Sequence, residues 1–524
     1  MARVLVTEPL ADEALARLRA SAEVDVREGL SPEELERIIG EYDALIVRSR
    51  TKVTDAILKA GSRLQVVARA GSGVDNIDVE AATRRGVLVV NAPDGNTVAV
   101  AEHALGLMLA LVRHIAAADA AIKAGGWPKG SLMGAELRGK TLGIIGLGRI
   151  GTALARRAAA LEMRIIAHDP FVSVEHAARL GVEMMPLDDL LRQADVVSIH
   201  IPGGEHTRKL LNAEKLALMK PTAYLINCAR GGIVDEEALE AALAEGRLAG
   251  AALDVFSREP PVGLELVRSP KTVCTPHLAA STEEAQRSCS LEVAEQVLDV
   301  LSGRPARCAV NAPALSSEEM AKLGPYIDLA TRLGSFYGQM TGNNIHRLEL
   351  VYAGEIAEYD TSALRAGALM GFLRLVADEP VNLVNAGAVA ASRGITVAEH
   401  HEPEAESYTN LLKVRASTTR GEHLVAGSVV RGRPRAVCVD GFWLDFPLEG
   451  HLLVSEHVEQ PGILGQMGTI LGEAGVNISF VQVGRWGRGS RGVMVLGLDD
   501  AVPPGLLDRI RAMPSIRSAR LIRI

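Results

Sequence analysis

The chain has 524 residues, 48% apolar and 23% charged, a globular composition that excludes a disordered or collagen-like polymer. Aromatic residues make up only 3% against 51 glycines, so the cores must be aliphatic, and a stacking platform for nucleic-acid bases is not expected. The net charge of −8, with no long basic run, points away from nucleic acid or an acidic membrane as partner and requires a locally basic pocket for any anionic ligand.

At roughly 150 residues per domain the length predicts three to four domains. From residue 3 to 92, apolar runs (VLVT, ALIVRS, LQVVARA, GVLVVNA) read as strands between amphipathic helices (DEALARLRA, SPEELERII, TDAILKA). Ser31-Pro32 followed by Glu33-Glu34 is a helix start: cap, first-turn proline and acidic first turn. Strand-helix alternation with continuous apolar strands predicts a parallel, doubly wound sheet. One long helix is expected over 98–123, ending at Gly125-Gly126-Trp127-Pro128. A second αβ series then opens at TLGIIGLGRIG, with strands RIIAHD, DVVSIHIP, AYLINCA and GAALDV.

The domains expected are 1–97, a second unit of the same class over 98–284, and an α+β block over 311–450. The helix after Thr282 stops at Ser302-Gly303-Arg304-Pro305 and would return the chain to complete the first domain over about 285–310. The block over 311–450 holds helices ALRAGALMGFLRLV and NLVNAGAVAASRGI, then strand-like NLLKVRAST, HLVAGSVV and RAVCVDGFWLDF. Residues 451–524 read β-α-β-β-α-β, the order of a ferredoxin-like module. In its first helix Ile463, Leu464, Met467, Ile470 and Leu471 share one face, and Pro461 pre-sets the first turn.

Cys228, Cys274, Cys289, Cys308 and Cys438 are scattered without a CxxC pair, so neither a disulfide framework nor a metal site is expected. Glu8 and Asp12 interrupt the start before any long apolar stretch, and no window resembles a spanning helix. A cytoplasmic protein is expected.

Gly146-Leu147-Gly148-Arg149-Ile150-Gly151 matches GxGxxG between a strand and an alanine-rich helix. Gly146 permits the tight turn, Gly148 lets backbone approach a pyrophosphate, and Gly151 allows close helix-strand packing. The helix start at Arg149 and Ile150 supplies amide donors and partial positive charge. Asp169, 18 residues after Gly151, would accept both ribose hydroxyls and repel a 2′-phosphate, so NAD is the expected cofactor.

Three more strand ends carry polar groups: Asn227-Cys228-Ala229-Arg230, Asp254-Val255-Phe256-Ser257-Arg258-Glu259, and Thr275-Pro276-His277. Each is bland alone: a lone histidine is more often structural, and Arg230 could pair with Asp235. Beside a dinucleotide site they form a hydride-transfer set. His277 would be the general base, Glu259 its orienter, and Arg230 the clamp for a substrate carboxylate.

The series GLGRIG, NCARGGIVDE, DVFSREPP and TPHLAAST resembles the D-isomer-specific 2-hydroxyacid dehydrogenase family over residues 1 to about 310. The resemblance implies a flavodoxin-like substrate domain, a Rossmann-type NAD domain, the Arg230, Glu259 and His277 active site, and Cys228 and Asp254 beside the cofactor. The segments around Arg48-Ser49, Ser72-Gly73-Val74 and Asn96 resemble the phosphoglycerate-oxidising branch. That branch implies a phosphate on Arg48 and Ser49, a carboxylate on the amides of 72–74, and Asn96 at the phosphate or the hydroxyl. Lys129 would be a further phosphate contact from a neighbouring subunit.

The block over 311–450 resembles the intervening domain of the long-form members, and the last 74 residues resemble an ACT domain. Together they imply a homotetramer with L-serine as effector at Glu459, Gly462 and Asn477. This chain has Glu459 and Gln460 where the usual ACT loop carries aspartate and arginine. The implied reaction is NAD-dependent oxidation of 3-phospho-D-glycerate, the first step of L-serine biosynthesis. The alternatives are another 2-hydroxyacid such as 2-hydroxyglutarate, or a dinucleotide-sensing regulator.

Overall fold

The computed structural model describes every residue except 314, 316, 343, 344, 378, 419, 420 and 488. Its first sheet has five parallel strands in the order Glu23–Val26, Arg3–Val6, Ala44–Val47, Val66–Arg69, Leu88–Asn91, the flavodoxin-like order. The inner strands are buried on both faces, which is why they read as unbroken apolar runs. Glu23–Val26 escaped the sequence reading because it is an edge strand with only two apolar residues. Ser31 caps Pro32–Ile38 in a full capping box with Glu34.

Helix Glu283–Leu301 packs back on this sheet: Val293, Ala294 and Val297 share a core with Val4, Val6, Ile46 and Leu18. Ala309 then bridges to Val90.

The second sheet is also wholly parallel, ordered Thr272–Cys274, Gly250–Leu253, Tyr224–Asn227, Val196–Ile199, Thr141–Ile145, Arg164–His168, Glu183–Met184. Strand order reverses between Thr141–Ile145 and Val196–Ile199, which opens a crevice at their C-terminal ends. The long helix expected over 98–123 is two helices, Thr97–Val112 and Ile115–Lys123, meeting at a bend of 64°. His114 breaks it with a left-handed φ of 52°, a conformation no helix interior accommodates. Among the described residues no single helix is long and apolar enough to cross a membrane.

The third sheet is mixed, ordered Thr396–Glu402, Arg347–Gly354, Asn410–Thr418, Gly421–Val430, Arg433–Val439, Phe442–Pro447. The single strand expected at RAVCVDGFWLDF is a hairpin: Asp440 and Gly441 both adopt positive φ, the requirement of a two-residue turn that Asp-Gly meets. Helix Ser317–Thr341, absent from the sequence reading, lies across this sheet.

The fourth sheet is antiparallel, ordered Ile478–Arg485, Arg491–Leu498, His451–Val458, Ile516–Arg523, with two helices on one face. Leu452, Val454, Val493 and Val495 on its other face share one core with Leu444 and Phe446 of the third sheet. Helix Ile463–Glu473 begins after Gly462 at φ +90°, so Pro461 precedes the helix instead of opening it. Ile463, Met467 and Leu471 are buried, but Leu464 is exposed, since the covered stripe is narrower than the apolar one. The fold class is therefore the expected one: two doubly wound α/β domains, then an α+β domain and a ferredoxin-like domain.

Candidate active site

The crevice between the first two sheets is a cleft of about 370 Å³ whose walls include Arg69, Asn96, His200, Cys228, Arg230 and His277. Three of its buried polar atoms have no hydrogen-bond partner among the described residues: Arg69 Nε, Asn96 Oδ1 and His200 Nδ1. Orphaned donors and acceptors cost about 1–3 kcal/mol each when left dry, so their convergence marks a surface built for a polar ligand. A wider hollow of about 530 Å³ lies beyond the Arg230 loop, but none of the three catalytic candidates lines it.

Each glycine of the 146–151 turn has a separate physical reason. Gly146 sits at φ +95°, and a Cβ there would come within 2.6 Å of the His200 carbonyl oxygen. A Cβ on Gly151 would meet the Gly146 carbonyl oxygen at 2.1 Å, so helix Arg149–Ala160 can approach its strand only through glycine. At Gly148 a Cβ would meet no protein atom within 4 Å; the face is open where a pyrophosphate would lie at the helix N-terminus. Gly148→Val is accordingly expected to leave thermal stability near wild type while raising KM for NAD tenfold or more; a matching loss of melting temperature and cofactor affinity would contradict it.

Asp169 ends its strand beside this turn and accepts from the amides of Leu147 and Phe171, both at 2.9 Å. A carboxylate has about four acceptor positions, so two remain for ribose hydroxyls. Arg149 reaches across to Asp94 at 2.6 Å. Ile150 and Cys228 line the cleft, and burial pushes the Cys228 thiol far up, leaving it protonated. Burial also pushes His200 down to about 4, so its imidazole is neutral, with Nε2 on Ser198 Oγ at 2.8 Å. The open Gly148 face, the Asp169 acceptors and the orphaned atoms fit NAD.

His277 Nδ1 bonds Glu259 Oε2 at 2.9 Å, while Glu259 Oε1 accepts from the Phe256 amide at 3.2 Å. Nδ1 is thereby assigned the donor role and Nε2 is left as the proton acceptor. His277 itself has φ 56°, a strained conformation for a residue with a Cβ. Asp254 holds it there. Its carbonyl oxygen accepts from the His277 amide at 2.9 Å, and its carboxylate accepts from the amides of Leu278 and Ala279 and from Thr275 Oγ1 at 2.7, 2.9 and 2.6 Å. His103 Nε2 lies 3.3 Å from the same carboxylate. Asp254 is fully buried, so this carboxylate brackets the turn at His277 and presents no surface to a cofactor.

Arg230 pairs with Asp75 at 2.8 Å, not with Asp235, which Lys209 holds at 3.0 Å. Ser72, Gly73, Val74 and Asn96 line the cleft, and Asn96 Nδ2 donates to Ser72 Oγ at 3.1 Å. Arg48, Ser49 and Lys129 do not line it. Arg48 is half-buried, and its loop is pinned by Glu8, which accepts from the amides of Arg48, Arg50 and Thr51. A second half-buried cation of the cleft is Arg69, which the sequence reading did not single out. As the last residue of a parallel strand, it satisfied the same strand-end rule that singled out Arg230.

In the C-terminal module Glu459 binds Arg485 at 3.0 Å and His457 at 3.3 Å, Asn477 binds Asp499 at 2.6 Å, and Gly462 opens the helix. His457 Nδ1 and Ser455 Oγ, on the same strand, are buried without partners among the described residues.

Residues 105–279 match the family model for the D-isomer specific 2-hydroxyacid dehydrogenase NAD binding domain, 322–440 that for the D-3-phosphoglycerate dehydrogenase intervening domain, and 451–515 the ACT domain. Fold and cleft define an NAD-dependent oxidoreductase of the D-2-hydroxyacid dehydrogenase class. D-3-phosphoglycerate dehydrogenases from Synechocystis sp. and Methanocaldococcus jannaschii are 45% and 42% identical, over 100% of this chain and 95% and 100% of theirs. The chain belongs to the D-3-phosphoglycerate dehydrogenase family. Among solved structures, the TT0316 protein of Thermus thermophilus is 39% identical with a TM-score of 0.55, over 59% of this chain and 99% of that one. D-lactate dehydrogenase from Aquifex aeolicus, complexed with NAD and lactic acid, is 28% identical with a TM-score of 0.52, over 57% and 96%.

Proposed function

We propose that the chain oxidises 3-phospho-D-glycerate to 3-phosphohydroxypyruvate with NAD, the first step of L-serine biosynthesis. The observation that carries this reading is the pairing of two guanidinium groups, Arg69 and Arg230, with His277 in one cleft. A substrate with a carboxylate at one end and a phosphate at the other satisfies both cations. Bound NAD supplies the hydride acceptor. Arg230 binds the substrate carboxylate and polarises the C2 oxygen, while the backbone amides of 72–74 donate to the same carboxylate. Arg69 takes the phosphate, with the charge of Arg48 near enough to act on Arg69. His277 Nε2 removes the C2 hydroxyl proton as the hydride leaves, and Glu259 stabilises the imidazolium that results.

A cytoplasmic homotetramer fits this role. Ile115, Ile122, Trp127 and Met133, all within 115–133 of the cofactor domain, are exposed apolar side chains suited to contact with a second copy. The C-terminal module binds a small effector, for which L-serine, the pathway's end product, is the candidate at Glu459, Gly462 and Asn477. The test is NADH formation from a panel of 2-hydroxyacids, with and without serine, alongside oligomeric mass. Turnover is expected with 3-phospho-D-glycerate and a lower rate with serine present. Turnover of 2-hydroxyglutarate alone would overturn the substrate, and unchanged rates with serine would overturn the effector.

A further inference from the structure

The arginine that clamps the substrate is itself held from across the cleft. Arg230 follows strand Tyr224–Asn227 of the cofactor domain, and its Nε donates to Asp75 Oδ2 at 2.8 Å. Its Nη1 donates to the Ala229 carbonyl oxygen at 2.7 Å. Asp75 belongs to the glycine turn after strand Val66–Arg69, on the opposite wall. These two bonds use Nε and one Nη1 proton, so the second Nη1 proton and both on Nη2 remain for a bidentate acceptor.

The turn is shaped to receive that edge. A Cβ on Gly73 would come within 1.6 Å of Arg230 Nη2, so only glycine lets the guanidinium lie in this position against the turn that lines the cleft. Asp75 also sits in the field of two cations. Burial disfavours the charged form of Arg69 and the nearby Arg230 disfavours it further, while the Asp75 carboxylate is among the groups that act in the opposite direction.

As a fold-stabilising element this pair is weak, since the Asp75 side chain is 67% exposed. Its geometry has another use. We propose that Asp75 is a positioning residue: it fixes the Arg230 guanidinium so that the Nη1–Nη2 edge meets the substrate carboxylate, and it links that orientation to the closeness of the two domains. The proposal rests on Arg230 being the carboxylate clamp and holds for any 2-hydroxyacid the enzyme takes.

The test is Asp75→Asn in the full-length chain. KM for the 2-hydroxyacid is expected to rise roughly ten- to a hundredfold, the span of one charge-assisted hydrogen bond. KM for NAD should stay within twofold, and kcat should fall by less than KM rises. Asp75→Glu should recover part of the loss. In an Arg230→Gln background Asp75→Asn should cost nothing further, because a residue acting through Arg230 has no effect once Arg230 is gone. Calorimetric titration of 3-phospho-D-glycerate into each protein reads the same ratio as a Kd, independently of turnover. Failure of the dehydrogenase reading would show as no NADH from wild type, apart from any ratio between variant and wild type. An unchanged KM and Kd in Asp75→Asn, or full additivity with Arg230→Gln, would overturn the proposal. So would a lowered KM, which would make Asp75 a competitor of the substrate carboxylate.

Discussion

Replacing His277 by alanine is expected to lower kcat by about 10²- to 10⁴-fold, the contribution of a positioned general base, while NAD affinity stays close to wild type. The loss follows from the assignment of nitrogens. Nδ1 is committed to Glu259 at 2.9 Å, so Nε2 is the atom that takes the hydroxyl proton, and alanine offers no substitute. The side chain is half-exposed at the cleft edge, so truncation removes little packing. Neither the Gly146–Gly151 turn nor Asp169 depends on it, which is why cofactor binding survives. Initial rates combined with calorimetric titration of NAD separate the two effects. Activity within tenfold of wild type would remove His277 from the chemistry and revive the reading of the chain as a dinucleotide-sensing regulator.

The second large effect is expected at Asp254. Burial alone would raise its carboxyl, but the bonds from His103, Thr275 and the amides of Leu278 and Ala279 outweigh that and hold it at about 2, below the ordinary 3.8. A depressed folded value means that the charged form stabilises the native state above about pH 4, and that this contribution fades as the pH falls from about 4 toward 2. Asparagine keeps the shape but places an NH₂ donor against amides that need an acceptor. Asp254→Asn should therefore cost about 2–4 kcal/mol at neutral pH. Because Asp254 holds the left-handed turn at His277, the surviving folded enzyme should also lose activity. Thermal unfolding of both proteins across pH checks the sign: the gap should be constant between pH 8 and 5 and shrink below 4. A gap that widened on acidification would contradict the bracket.

The chemistry was legible where it is local. The glycine turn is compressed into six residues because turn, pyrophosphate approach and helix packing are all satisfied within one strand-turn-helix unit. Glu259 and His277 could be paired in advance because each lies in a loop that leaves the C-terminal end of one of two neighbouring parallel strands, Gly250–Leu253 and Thr272–Cys274, and such loops converge. The edge strand Glu23–Val26 and the break at His114 were not legible. An edge strand needs no apolar face on both sides, and a single left-handed residue leaves the helical period on either side intact.

By itself the amino-acid sequence determined most of the order of elements, the NAD turn, the pairing of Glu259 with His277, and the presence of an ACT module beyond the dehydrogenase part. These rest on short-range backbone preferences and on strand-end convergence, which any chain with that pattern obeys. Only the tertiary structure decided who partners whom. Arg230 takes Asp75, 155 positions away, in place of nearby Asp235, and His103 meets Thr275 across 172 positions. Arg69 became a second cation of the cleft, and Asp254 became the bracket of the turn at His277. The Arg230–Asp75 pair arises where two separately wound sheets face each other, and the His103–Thr275 contact where a helix packs on its own sheet; sequence spacing carries no record of either.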